Sequence, residues 1–203
     1  MADKQTNYLP MTSVDMLHYG KVTGDTSTGI TGETPKRILG LTEAGFNRNG
    51  SVSTFFADGG PYCTAVAAGE VDGGIACADV PPNLKSELYG DKYDSSTGEL
   101  LMGDFNSPDV FVQYRIQKSN GAYRYVTVYK CKCVDNSDGK VQTKGGSINF
   151  QTNGFAFKAA NTIYNGHFCR VLDDDDPKLP AGVTPAIIAA KWFTDINWQI
   201  SAT

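Results

Sequence analysis

The chain has 203 residues, 40% of them hydrophobic, with 22 glycines, 10 tyrosines and 10 phenylalanines. Its formal charge of −4 and pI near 5.1 argue against a protein that grips duplex DNA by its phosphates, since such proteins gather Lys and Arg on one face. A chain of this length buries roughly 70% of the surface its unfolded form exposes, so it needs neither a disulfide nor a metal to fold.

Residues 1–12 form a polar N-terminal arm with no apolar core of a signal peptide, and Tyr8 and Leu9 are its apolar members. No stretch approaches the ~20 apolar residues of a membrane-spanning helix. These features predict a protein made and kept in a cytosol, without membrane contact. Five cysteines (63, 77, 131, 133 and 169) then read as free and mostly buried thiols.

Taken in order, the elements are mainly β. Strands are expected at about 13–20, 36–41, 50–57, 61–67 and 70–78, with a long Gly- and Thr-rich loop at 20–33. Pro81-Pro82 opens a short helix over 83–89. A second long loop, 90–109, is polar but interrupted by Tyr93, Leu100, Leu101, Met102 and Phe105. Loops this long tend to be functional, and apolar residues on one favour a contact role. Val112, Tyr114 and Ile116 then alternate with Gln113, Arg115 and Gln117, the period-2 pattern of a half-buried strand.

Asn120-Gly121 supplies the positive φ angles of a tight hairpin turn. The return strand runs Tyr123 to Val134. Its centre is apolar on both sides, because Val126 and Val128 face away from Tyr125 and Tyr129. Something must cover both faces, either a helix of the same chain or a neighbouring subunit. Asp138-Gly139 makes the next turn, and Val141 to Gln151 climbs back to complete a meander. Further strands are expected at 154–159 and 196–201. Thr184-Pro185 is an N-cap with proline in the first helical position, opening a helix to about Phe193 on which Ile188 and Trp192 stack at i, i+4. No repeat or linker divides the chain, which reads as one domain, 1–203.

Catalytic, cofactor and metal signatures are weak. The two histidines, His18 and His167, lie in no recognisable nucleophile or metal motif, so no catalytic residue, cofactor or metal ligand is assigned and no enzyme is expected. Cys131 and Cys133 share a strand face and could reach one ion, but they lack knuckle spacing and read as core thiols. Asp173 to Asp176 does not alternate as a calcium loop does, and reads as a solvated acidic loop. Arg124, Lys130 and Lys132 read as solubilising charges on an outer face.

Several segments, in order, resemble the major tail protein family of long-tailed phages of Gram-positive bacteria. They are Ser53–Tyr62 (STFFADGGPY), Gly69–Ile75 (GEVDGGI) leading into the helix near Pro82–Gly90, Asp94–Leu101 (DSSTGELL), Arg124–Cys131 (RYVTVYKC) and Trp192–Asp195 (WFTD). Gly24–Gly29 with Thr34-Pro35 is similar to that family's first loop. The resemblance implies an antiparallel β-sandwich or barrel-like tail tube fold with a flanking short helix and long loops. It further implies homohexameric rings stacked into a tube, assembled in the host cytoplasm and carried in the virion. The implied partners are further copies of itself, a tape-measure protein and phage DNA in the lumen, and tail terminator and distal tail proteins at the ends.

On this reading Tyr93, Leu100, Leu101, Met102 and Phe105, with Tyr8 and Leu9, are the candidate self-assembly residues. A lumen built from subunits of −4 each would repel DNA phosphates and let the genome slide. The alternative from another class is a β-sandwich module that binds a carbohydrate or cell surface, supported by the aromatic content and the acidic run.

Overall fold

A computed structural model describes residues 9–103, 106–135, 143 and 150–200. The chain is mainly antiparallel β, with eleven strands and two short helices among the described residues. Nine strands belong to one sheet: β1 (Met11–Thr26), β2 (Gly29–Gly32), β3 (Lys36–Arg37), β4 (Leu41–Ala57), β5 (Gly60–Cys77), β8 (Val110–Lys118), β9 (Tyr123–Asp135), β10 (Asn153–Ala159) and β11 (Cys169–Asp173). Its order is β2-β1-β8-β9-β10-β5-β4, with β3 added to β1 and β11 to β9. β6 (Lys92–Asp94) and β7 (Glu99–Leu101) pair in a small hairpin of their own.

The sheet bends back on itself. Leu17 and Tyr19 of β1 share one buried cluster with Ile75 and Cys77 of β5, and Leu41, Ala44 and Phe46 of β4 pack against it, although β1 and β4 lie near opposite ends of the sheet path. Val110, Val112, Tyr114, Val126, Val128, Phe155 and Phe157 fill the same interior, and helix α1 (Pro82–Tyr89) adds Leu84, Leu88 and Tyr89. This barrel-like closure removes most apolar surface from water, worth about 25 cal/mol per Å² buried.

The centre of β9 is covered on both faces, as its composition requires. Val126 and Val128 enter the main core, while Tyr125 packs under Ile188 of helix α2 (Pro185–Lys191) and Trp192, its C-cap, and Tyr129 joins Phe111, Ile30 and Ile196. The second cover comes from the same chain. The Thr184 hydroxyl caps α2 by accepting from the Ile187 N–H, with Pro185 following it. A β-bulge shifts the register between the Val110–Cys131 and Val112–Val128 pairs, putting one extra residue on β9. Cys131 and Cys133 therefore face the same core as Val126 and Val128, against the simple alternation.

Several expectations need correction. The segment 20–33 is the end of β1, a two-residue turn and β2, because Asp25–Ile30 and Thr26–Gly29 pair across it. The strands expected separately at 50–57, 61–67 and 70–78 are parts of two long strands, β4 and β5, and residues 42–49 belong to β4 as well. Only Lys36 and Arg37 of 36–41 form β3. Residues 196–200 are not a strand, and β11 is a strand that the sequence pattern does not mark.

The turn after β8 has positive φ at Gly121 alone. Asn120 serves instead through its side chain, accepting from the Ala122 N–H and donating to Asp175. Gln113, expected to face solvent, is fully buried beneath α2, donating to the Trp192 carbonyl and the Thr127 hydroxyl. Most of the expected strand 141–151 and its Asp138-Gly139 turn lie outside the described residues, and residues 150–152 are not strand.

Candidate self-assembly surface

Beyond Arg48 and Val71, the hairpin of β4 and β5 leaves the core and continues as a two-stranded ribbon. The ladder runs from Gly50–Ala68 through Val52–Val66 and Thr54–Thr64 to Ala57–Gly60. Asp58 (φ 51°) and Gly59 (φ 78°) close it in the left-handed conformations that a tight two-residue turn demands. At its root the register shifts between Arg48 and Gly50, putting an extra residue on β5. Gly69 sits in that bulge, where a Cβ would lie 2.5 Å from the Asn49 carbonyl oxygen.

Directly opposed residues share a face of the ribbon. One face therefore carries Val52, Val66, Thr54, Thr64 and Phe56; the other carries Ser51, Ser53, Ala65, Ala67, Cys63 and Phe55, with Tyr62 packed edge-on to Phe55 at 6.3 Å. Among the described residues neither face has a cover. Val52, Phe55, Phe56, Tyr62 and Val66 are 66%, 63%, 66%, 73% and 76% exposed.

Charge is confined to the two ends. At the root, Asn49 donates to Asp72, and Lys158 pairs with Glu70 and Asp72. From Asn49 to Gly69 the single charged residue is Asp58 at the tip. Among the described residues both strand edges are open, since β4 ends the sheet and β10 pairs with β5 only over Val71–Cys77.

An isolated two-stranded ribbon is marginal in water, and a long, flat, uncharged edge is the feature that soluble monomers avoid. Single exposed apolar residues are ordinary, whereas a contiguous set on one projecting element marks a contact surface.

The residues expected to carry assembly are placed elsewhere. Tyr93 and Leu100 face each other across β6 and β7; Leu101 (54% exposed) and Met102 (63%) follow on the surface. Ser107 anchors the far end of the loop, donating to the Leu88 carbonyl and accepting from the Cys133 N–H. Leu9 is half-buried, and Tyr8 and Phe105 lie outside the described residues. The sequence signal for the ribbon was present, in the run of Ser, Thr, Ala and aromatic residues without charge. It reads as two ordinary strands because exposure is not encoded locally.

Two polar groups read as solvated are engaged. Asp173 accepts side-on from Arg124 (2.6 and 2.8 Å) and pairs with Lys118 (2.9 Å). Asp175 binds Lys118 and Asn120, and the buried Asp174 accepts from the Tyr123 N–H. The acidic run is therefore a clasp on the β8–β9 turn. Lys130 pairs with Asp25 and Asp109, and Lys132 with Asp109, so these charges also tie segments together.

His18 is buried, stacked on Phe193 at 4.6 Å, with burial lowering its pKa. Burial pushes the Cys169 thiol up to about 12 and raises Cys77, so neither is a thiolate at neutral pH. The Cys131 thiol is raised too, first by its hydrogen bond with Cys133 and then by burial. Cys63 alone is exposed. Among the described residues no group of three His, Cys, Asp or Glu is placed to hold a metal, and no helix is long and apolar enough to cross a membrane.

A comparison with protein-family models finds no match to this chain, and a comparison with characterised proteins finds none.

Proposed function

We propose that this protein is a self-assembling structural subunit whose β4–β5 ribbon is completed by further copies of the same chain. The observation that carries this is the ribbon itself: about 20 residues without internal charge, two edges unpaired among the described residues and five exposed large apolar side chains. Burying a Val, Phe or Tyr side chain contributes about 1.5–3 kcal/mol, so five give on the order of 10 kcal/mol. Immobilising a free subunit costs a similar amount, about 4–15 kcal/mol. One ribbon contact therefore roughly breaks even. A closed ring, in which each subunit is held on two sides, tips the balance towards assembly.

Within that class we place the protein as the tail tube subunit of a long-tailed phage. Four things support this reading: the order of family-like segments, the barrel-like β fold with short flanking helices, the acidic balance and the ribbon. The segment Ser53–Tyr62, part of the resemblance, forms the ribbon's outer half. The competing reading, a carbohydrate- or surface-binding module, drew on the acidic run at 173–176. Asp173 and Asp175 have both oxygens engaged by Arg124, Lys118 and Asn120, and Asp174 has one engaged by the Tyr123 N–H, which weakens that support.

Negative-stain microscopy of the purified protein, with sedimentation over a concentration and salt series, is the test. Rings or tubes are expected. A monodisperse monomer under every condition sinks the proposal. Glycan binding by that monomer would install the competing reading.

A further inference from the structure

Arg170 sits on β11 opposite Thr127 of β9, and its guanidinium carbon lies 4.2 Å from the centroid of the Trp192 ring. Its Nη1 donates to the Trp198 carbonyl. Its Nε and Nη2 are closed to bulk water and have no acceptor, and the same is true of the indole N–H of Trp192, a side chain with no exposed surface. Three donors thus meet around one stacked cation without an oxygen to receive them. No ion pair among the described residues involves Arg170. Burial lowers its proton affinity, and the groups that oppose this are Tyr129, Cys169 and Tyr164, none of them a carboxylate.

Two other guanidinium groups in this molecule show what those atoms ordinarily hold. Arg115 donates from Nε and Nη2 to the two oxygens of Asp15, and Arg124 donates from the same pair to the two oxygens of Asp173. The Nε–Nη2 edge is the side-on fork that matches a carboxylate or phosphate. Arg170 is one of the residues lining a cleft of about 350 Å³, with Tyr129, Asn165, His167 and Gln199. That volume is at the small end of ligand sites. Water could satisfy the hydrogen bonds but would not pair the half-buried charge, and an oxyanion would do both.

We propose that this cleft, beside α2, binds a small oxyanion, a carboxylate or a phosphate, on the side-on fork of Arg170 with help from the Trp192 N–H. Because Nε and Nη2 have no open surface, binding requires the cleft wall to give way there; Gln199 and Ile200, on the segment that follows α2, belong to that wall. The donors all belong to one chain, so the site itself does not depend on the assembly proposed above, whichever source supplies the anion.

The full-length protein is titrated with sodium phosphate and, separately, sodium acetate, with chloride adjusted to hold ionic strength constant. Tryptophan fluorescence and melting temperature are followed. A saturable change with a rise in melting temperature is expected, since a ligand that binds only the native state stabilises it. Arg170→Met, which keeps the stem and removes the fork, abolishes the response. Trp192→Phe, with Trp198 as the remaining reporter, weakens binding by roughly 10-fold or more, the value of one hydrogen bond to a charged acceptor.

A concentration series of the protein without added anion separates the sources. A signal that grows with concentration and is lost in Arg170→Met identifies a carboxylate from a second copy. The proposal is overturned if neither series gives a saturable signal, or if Arg170→Met responds as the parent does. Should Arg170→Met fail to fold, unchanged affinity in Trp192→Phe overturns it.

Discussion

Asp173 shares its carboxylate between two cations, Arg124 and Lys118, and closes the β8–β9 turn onto the end of β11. The hydrogen bonds from Arg124 hold its carboxyl below the ordinary range, with burial opposing. At Asp175 burial pushes up, but bonds from Lys118 and Asn120 outweigh it and the net direction is down. Asp25 and Glu87 are lowered in the same way, burial being outweighed by backbone N–H bonds from Ile163 and Tyr164 in one and by Lys36 and Tyr19 in the other. Asp174 runs the opposite way, raised first by burial.

A depressed carboxyl adds stability that is complete above its unfolded value and is lost as the pH falls through the folded one. Among the described residues five depressed carboxyls, these four and Asp94 with its bonds from Ser96, against one raised predict a melting temperature that drops as pH falls below about 4, where unfolded carboxyls begin to protonate. Calorimetry between about pH 3 and pH 6 checks it. Asp173→Asn is expected to cost about 2 kcal/mol at pH 7, less than a fully buried pair because the carboxylate keeps partial solvent access, and to flatten the acid limb. An unchanged melting temperature and acid limb would remove the clasp.

At the scale of elements, α2 and the ribbon behave as opposites. α2 is held by burial: Trp192 and Ile188 have no exposed surface, and Tyr125 meets the Trp192 ring at 5.5 Å. Trp192→Ala is expected to cost about 3–5 kcal/mol, and loss of the cap in Thr184→Ala about 1 kcal/mol, both measurable by denaturant unfolding. The ribbon contributes almost nothing to its own chain. Phe55→Lys with Val66→Lys is therefore expected to leave monomer stability within about 0.5 kcal/mol while abolishing assembly. Sedimentation and calorimetry on the same sample separate the two effects. Gly69→Ala probes the bulge that aims the ribbon. The added methyl meets the Asn49 carbonyl, so assembly falls while the core, which this bulge does not enter, keeps its melting temperature.

For the whole molecule, the decisive prediction concerns removal of the ribbon. Replacing residues 51–67 with a two-residue Asn-Gly turn joins Gly50 to Ala68, which already face each other in the ladder. The product is expected to be a folded monomer whose circular dichroism is β-rich and whose melting temperature matches that of the parent before assembly. If it still forms rings, the interface lies elsewhere, and the surface around Tyr93, Leu101 and Met102 becomes the next candidate. Charge works at the same scale: each copy brings −4 to an assembly, so raising salt is expected to favour association by screening that repulsion.

The sequence alone determined what is local. Period-2 alternation marked Val110–Lys118, aromatic and β-branched density marked Tyr123–Asp135, and Thr184-Pro185 marked the start of α2. Composition also showed that the centre of β9 needed two covers. Tertiary structure decided what depends on distant partners. The bulge opposite Val110–Val112 turned Cys131 and Cys133 into the main core, and α2 buried Gln113 on what reads as a polar face. The acid run became a clasp only because Lys118 and Arg124, about fifty residues away, came within reach. The same holds for function. Val52, Phe55, Tyr62 and Val66 have the pattern of an ordinary covered hairpin, and only the path of the sheet leaves them in water, because alternation records which way a side chain points and not whether anything stands opposite it.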